Sequence, residues 1–301
     1  MEPRELIVIS GKGGTGKTSV VAAFAALAGG AVLADCDVDA ADLHLVLRPE
    51  PGEPNDFSGR SAAVVDPESC TGCGRCVQVC RFDALSRQSG GEYAVDAIAC
   101  EGCEVCARIC PTEAISMEAI VNGAWMVSQT RFGPLVHARL GIAEDNSGKL
   151  VTIVRKEARE TALREGHSLV IVDGSPGIGC PVIASLTGAH LVLAVTEPTV
   201  SGRHDLDRVL QVVRGFGLPF AVLVNKADLN PDMAEAIAAE ATEAGALFVT
   251  RVEYDPAVTR AQVAGVDIIT YGGHAATAIE EAWMETASAL AAAEKGDVSH
   301  A

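Results

Sequence analysis

Two stretches of this chain are near copies of each other, thirty residues apart. "DPESCTGCGRCVQVCRFDALS" (Asp66–Ser86) matches "DAIACEGCEVCARICPTEAIS" (Asp96–Ser116), with Asp66 on Asp96, Gly72 on Gly102, Ala84 on Ala114 and all four cysteines in step. Each half has the spacing C-x-x-C-x-x-C-x-x-x-C. Such a run grips one cubane cluster with three closely spaced thiolates, while the fourth, one helical turn on, reaches a second cluster. By the symmetry of the repeat, Cys70, Cys73, Cys76 and Cys110 are expected to hold one 4Fe–4S cluster. Cys100, Cys103, Cys106 and Cys80 are expected to hold the other. Gly72, Gly74 and Gly102 leave room for backbone amides to approach the cluster sulfurs. Structural zinc takes its four ligands in two separated pairs, not four in a row twice over. The other two cysteines, Cys36 and Cys180, stand alone and read as small buried hydrophobes.

A second motif lies near the start. "GKGGTGKT" (Gly11–Thr18) follows the apolar run Leu6–Ile9 and opens a helical pattern, the context a phosphate loop requires. Backbone amides of Gly11, Gly13, Gly14, Thr15 and Gly16 would curl round phosphate oxygens, with Ser19 behind them at the helix N-terminus. Lys17 would reach the β- and γ-phosphates, and the Thr18 hydroxyl would ligate Mg²⁺. Lys12 is one lysine more than such a loop needs.

Short apolar runs mark buried parallel strands at Leu6–Ile9, Ala31–Ala34, Leu150–Val154, Leu169–Val172, Leu191–Val195, Phe220–Val224 and Leu247–Val249. Helical patterns lie between most of them: Lys17–Ala28, Arg155–Glu165, Asp205–Gly215, Met233–Ala244 behind an Asn230 cap, and Ala275–Glu294. The alternation predicts an α/β fold with a doubly wound, mostly parallel sheet, and with the phosphate loop it resembles the P-loop NTPase type. It breaks after Leu47, where "LRPEPGEPNDFSGRS" reads as a linker. The cysteine repeat is therefore a small α+β insert, expected at 61–120, between the α/β segments 1–60 and 121–301. Between Ile120 and Leu150 short strands are expected to return the chain to the sheet. "EDNSGK" (Glu144–Lys149) reads as a polar hairpin turn, and His137 has no ligand partners in sequence.

The formal charge of −17 disfavours nucleic acid and anionic lipid as partners. The first residues show no signal-peptide pattern, and the longest uncharged stretch, Ser19–Ala34, is broken by Gly29-Gly30. A soluble cytoplasmic protein is expected, in a compartment that keeps thiols reduced for metal.

The cysteine repeat is similar to a bacterial two-cluster ferredoxin, with one departure: Pro111 follows the fourth cysteine of the second run, but Arg81 follows that of the first. Lysine directly after the first glycine of the loop resembles the deviant loop of the MinD-like ATPases. "LADCDVDAADLHLVL" would hold the first switch of that group, with Asp37 positioning the attacking water or the metal shell. "LVIVDGSPGIGCPV" would supply Asp173 as the Walker B carboxylate on Mg²⁺, then a mobile second switch. "NKAD" (Asn225–Asp228) looks like a guanine-reading motif, but in the MinD-like group the equivalent asparagine contacts adenine. "EYDPAV", with Asp255 and Pro256, would complete the pocket. ATP is therefore the expected nucleotide.

Together these segments resemble the MinD-superfamily ATPases with an inserted ferredoxin domain. The resemblance implies a homodimer across the nucleotide site in which Lys12 acts on the partner's ATP, like an arginine finger. It implies an ATP-driven redox protein passing electrons through two 4Fe–4S clusters to a partner protein. The alternative is an assembly or maturation ATPase that delivers clusters or cofactor to a client protein. Two closed four-cysteine sets favour the redox reading, because a carrier should hold a labile cluster. A third reading, spatial positioning on a membrane, is disfavoured because "EEAWMETASALAAAEKGD" lacks a basic face.

Overall fold

Every residue of Glu5–Ser10 is buried, which only a strand covered on both faces by helices achieves. The computed structural model describes residues 2–141 and 147–296. In chain order the elements begin with β1 (Arg4–Ser10), α1 (Lys17–Leu27), β2 (Val32–Asp35), α2 (Leu43–Leu47), β3 (Asn55–Phe57) and β4 (Arg60–Val65). They continue with α3 (Arg75–Val79), β5 (Leu85–Arg87), β6 (Tyr93–Val95), α4 (Val105–Arg108), β7 (Ile115–Ile120), β8 (Gly123–Thr130) and β9 (Gly133–Leu140). Next come α5 (Ser147–Glu165), β10 (Leu169–Pro176), α6 (Cys180–Leu186), β11 (Leu191–Thr196), α7 (Val200–Gly215) and β12 (Phe220–Asn225). The last are α8 (Pro231–Glu243), β13 (Val249–Val252), α9 (Pro256–Ala264), α10 (Ile268–Tyr271) and α11 (His274–Gly296).

One nine-stranded sheet runs in the order β13-β12-β11-β1-β10-β2-β9-β8-β3. The pairings from β13 across to β9 are parallel. This is the expected doubly wound α/β sheet. Helix α1 packs its Val20, Val21 and Phe24 into the core, where Phe24 meets Trp283 of α11 with ring centroids 5.1 Å apart. Contacts divide the chain into two units. The larger takes in the chain up to Asn55, Trp125–Arg139 and the chain from Ser147 on; the smaller takes in Asp56–Ala124.

Local signals hold where they carry a mechanism. Asn230 caps α8, its side-chain oxygen accepting from the Met233 amide at 3.2 Å, with Pro231 in the first turn. Strands β8 and β9 return the chain to the sheet as expected. Leu150–Val154 is not a strand: it lies inside α5, because a five-residue apolar run does not by itself distinguish a strand from a buried helical turn. The Glu144–Lys149 turn is also corrected in part. Ser147–Lys149 begin α5, and 144–146 lie outside the described residues. The Pro-rich stretch after Leu47 is not wholly linker, since it contributes a bridge between Glu50 and Gln129 and the short strand β3.

Within the smaller unit the repeat is a repeat of conformation. Gly72 and Gly102 have φ of 70° and 65°, and Asp83 and Glu113 have 51° and 53°. The amide of Asp66 donates to Ala114 O at 2.8 Å, and that of Asp96 to Ala84 O at 2.7 Å. Hairpin-like ladders β4–β7 and β5–β6 frame the two short helices α3 and α4.

Candidate functional site

The phosphate loop joins β1 to α1. Gly16 precedes α1 with φ of 96°, and a Cβ there would lie 2.3 Å from Asn225 Nδ2. Gly11 is held just as closely: its Cβ would sit 2.4 Å from Asp205 Cβ on α7. Both positions therefore require glycine. An open cleft of about 1980 Å³ spreads from this loop, lined by Gly13–Ser19, Asp37, Ser175, Asn225, Tyr254, Asp255 and Gln262 among others.

Lys17 is the electrostatic centre of the cleft floor. Its ammonium bonds Asp173 Oδ1 and lies 3.5 Å from Asp37 Oδ2. Burial would lower its pKa, but Asp173 and Asp37 outweigh burial and raise it, so the lysine stays charged. Burial pushes the Asp37 carboxyl up, against the pull of Lys17. Sequence reasoning gave Asp35 no role. It is fully buried beside Asp173, accepts from the amides of Asp37 and Leu43 at 3.2 Å each, and is held well above the usual carboxylate range by burial and by Asp173. The segment after β2 is thus pinned at its root by Asp35. Ser175 ties the end of β10 to the segment after β2, donating to Cys36 O at 2.6 Å.

Asp173 Oδ2 and Thr15 Oγ1 are buried without a hydrogen-bond partner. An unpaired buried carboxylate oxygen beside a phosphate loop suits a cation, and an unpaired hydroxyl there suits a phosphate oxygen. These residues, with Thr18 in the cleft wall, therefore fit Mg²⁺ and a nucleotide. Asp173 lies inside its strand, since β10 runs on to Pro176.

Lys12 is not free. Its ammonium pairs with Glu197 at 2.8 Å and donates to the Ser201 hydroxyl at 3.2 Å, while Lys226 pairs with the same Glu197 at 3.1 Å. Asn225 is turned to the loop: Nδ2 donates to Thr15 O at 2.7 Å. The Asp255 carboxylate caps α9 through the Ala257 amide at 2.8 Å and accepts from Ala275 N at 3.1 Å. Pro256 is the first residue of that helix. Glu197 and Ser201 were missed because nothing near them in sequence marks them as lysine partners.

In the smaller unit the eight cysteines fall into the two expected sets. One small pocket is lined by Cys70, Cys73, Cys76 and Cys110, with Gly74, Arg75 and Tyr93. The other is lined by Cys80, Cys100, Cys103 and Cys106, with Phe82, Glu101 and Glu104. All eight are free thiols. Among the described residues no three His, Cys, Asp or Glu side chains gather as for a single metal ion. The Ala114 amide donates to Cys110 Sγ at 3.3 Å, as expected for backbone support of a cluster thiolate. Arg81 is exposed. Cys36 is buried, and burial pushes its thiol up. Cys180 is exposed at the start of α6, contrary to expectation, because the glycine-rich turn before it holds the helix end at the surface.

The fold and the two sites define an α/β protein with a phosphate loop at the end of β1 and a two-set cysteine unit. A family model described as "4Fe-4S dicluster domain" matches residues 63–117, and a second of the same description matches 33–84. The chain is 33% identical over 230 residues to the uncharacterized protein MJ0578 of Methanocaldococcus jannaschii, covering 75% of this chain and 79% of that protein. The structure is similar to the cell division ATPase MinD of Pyrococcus furiosus, with a TM-score of 0.56 at 19% identity over 96% of this chain and 99% of that one. It is also similar to the septum site-determining protein MinD of Pyrococcus horikoshii, solved with Mg-ADP, with a TM-score of 0.56 at 18% identity over 94% and 96% of the two chains. The chain belongs to the family of MJ0578; its fold is that of the MinD structures, and its residues 63–117 match a 4Fe–4S dicluster domain. Among the described residues no helix is long and apolar enough to cross a membrane.

Proposed function

We propose that this chain is a cytoplasmic, homodimeric ATPase whose nucleotide state gates electron transfer through two 4Fe–4S clusters to a partner protein. The observation that carries the nucleotide part is the Lys17–Asp173–Asp37 cluster under the loop, with Asp173 Oδ2 and Thr15 Oγ1 left unpaired. Lys17 would trade its two carboxylates for the β- and γ-phosphates. Asp173 and Thr18 would hold Mg²⁺, which when bound neutralises phosphate charge. Asp37 sits beside Lys17 and would orient the attacking water. Loss of the γ-phosphate would let the Asp37 and Gly177–Gly179 segments move, the order–disorder change of a nucleotide switch. Lys12 would leave Glu197 and stabilise charge on the partner subunit's phosphoryl group.

Segments 1–60 and 121–301 would form the ATPase domain and 61–120 the ferredoxin insert. Clusters, when bound, supply one-electron redox chemistry. The two closed cysteine sets support electron relay over delivery to a client, since each set supplies four thiols from one chain. The test is anaerobic purification followed by iron analysis and ATP turnover. About eight irons per chain, retained on incubation with an apo-acceptor while electrons pass, is the expected result. Transfer of iron to the acceptor would instead support the maturation reading. A colourless, iron-free protein would refute both.

A further inference from the structure

The Asn225–Asp228 stretch reads as a guanine-recognition motif, yet its side chains are engaged elsewhere. Guanine recognition by a carboxylate needs both oxygens facing the base, to accept from its two adjacent donors. Here Asp228 Oδ1 accepts from the main-chain amide of Tyr254 at 2.5 Å. Asp228 is absent from the residues that line the cleft, whereas Asn225, Lys226, Tyr254, Val258 and Gln262 line it. One donor of Asn225 is used on Thr15 O, its oxygen accepts from Lys226 N at 3.0 Å, and Lys226 pairs with Glu197.

The segment that Asp228 holds is fixed from the other side as well. Tyr254 O lies 3.2 Å from His274 Nε2, and the next residue, Asp255, caps α9 and pairs with His274 Nδ1 at 3.1 Å. Both main-chain polar groups of Tyr254 are therefore tied while its side chain, 45% exposed, borders the cleft. A backbone held this way roots the ring at one place on the cleft rim, where a purine can stack on it.

We propose that Asp228 is a positioning residue, not a base reader: it fixes Tyr254 as the platform on which an adenine base stacks. This rests on the nucleotide-site reading above and deepens it. The experiment is displacement of a fluorescent ATP analogue from the full chain by ATP, GTP and XTP, in wild type, Asp228→Asn, Asp228→Ala and Tyr254→Ala. Asn keeps an oxygen that can accept from the Tyr254 amide, so Asp228→Asn should bind ATP within about two-fold of wild type and gain no XTP binding. Asp228→Ala should weaken ATP by about five- to ten-fold, the loss of one hydrogen bond to the backbone. Tyr254→Ala should weaken it by about ten-fold or more through lost stacking.

A preference for GTP over ATP, or a switch toward XTP in Asp228→Asn, would overturn the inference and leave the nucleotide site standing. So would unchanged ATP affinity in Asp228→Ala. Binding of no triphosphate by wild type would bring down the nucleotide site and this inference together.

Discussion

The ammonium of Lys12 lies 2.8 Å from the carboxylate of Glu197 in its own chain, 185 residues away in sequence. Burial alone would raise the Glu197 pKa, but its bonds to Lys12 and Lys226 hold the carboxyl below its usual range. The two side chains are 31% and 17% exposed, so the pair is worth about 1 kcal/mol or less. A triphosphate on a facing subunit would displace so weak a contact readily. Glu197→Gln should therefore tighten dimerisation with a non-hydrolysable ATP analogue by about two- to five-fold, within that interaction energy. Sedimentation velocity measures it, and weaker or unchanged association would contradict a cis restraint on Lys12.

Lys12→Ala should leave nucleotide binding to the monomer intact and reduce ATP turnover by about a thousand-fold, the scale of a cation supplied in trans. A turnover assay across protein concentrations checks both the rate and its dependence on pairing. An unchanged rate would end the trans-lysine reading.

The cysteine sets cross between the repeats, since Cys110 of the second run lines the cavity of Cys70, Cys73 and Cys76. Cys110→Ala should cost one cluster, about four irons of about eight. Adding Cys73→Ala to it should remove no more, because both side chains serve one site. Adding Cys103→Ala should remove the rest. Iron analysis and visible absorbance distinguish this pattern from two sets confined to their own runs.

His137 is 4% exposed, 2.8 Å from the Ser128 hydroxyl and stacked on His44 with ring centroids 6.1 Å apart. Burial, then the neighbouring His44 and Arg139, lower its pKa to about 4. A histidine depressed in the fold favours the neutral state, so its stabilisation is complete above the unfolded value near 6.5 and is lost as pH falls toward 4. Between pH 8 and pH 5 it should account for about 2 kcal/mol of lost stability. Urea unfolding of wild type and His137→Gln at both pH values measures this, and equal pH dependence in the two would show that His137 is not the cause.

Much of this molecule was legible because its chemistry is local. Gly11–Thr18 names a phosphate loop since amides, lysine and hydroxyl must meet one phosphate group within a few residues. The Cys70–Cys80 and Cys100–Cys110 runs name clusters for the same reason. Leu150–Val154 was misread because a short apolar run fits a strand and a buried helical turn equally well, and only its packing within α5 separates them. Asp255 was expected at the base pocket; it lines the cleft and also caps α9, a second role that its neighbour Pro256 hints at but does not compel.

What the order of residues determined by itself was the kind of ligand each motif accepts and the alternation that makes a parallel sheet. What only the tertiary structure decided was who holds the remaining charges: Lys12 on Glu197, Asp228 on Tyr254, Asp35 beside Asp173. Those pairs join segments far apart in the chain, and hydrogen bonds and ion pairs depend on distance in space, which folding sets and sequence spacing does not.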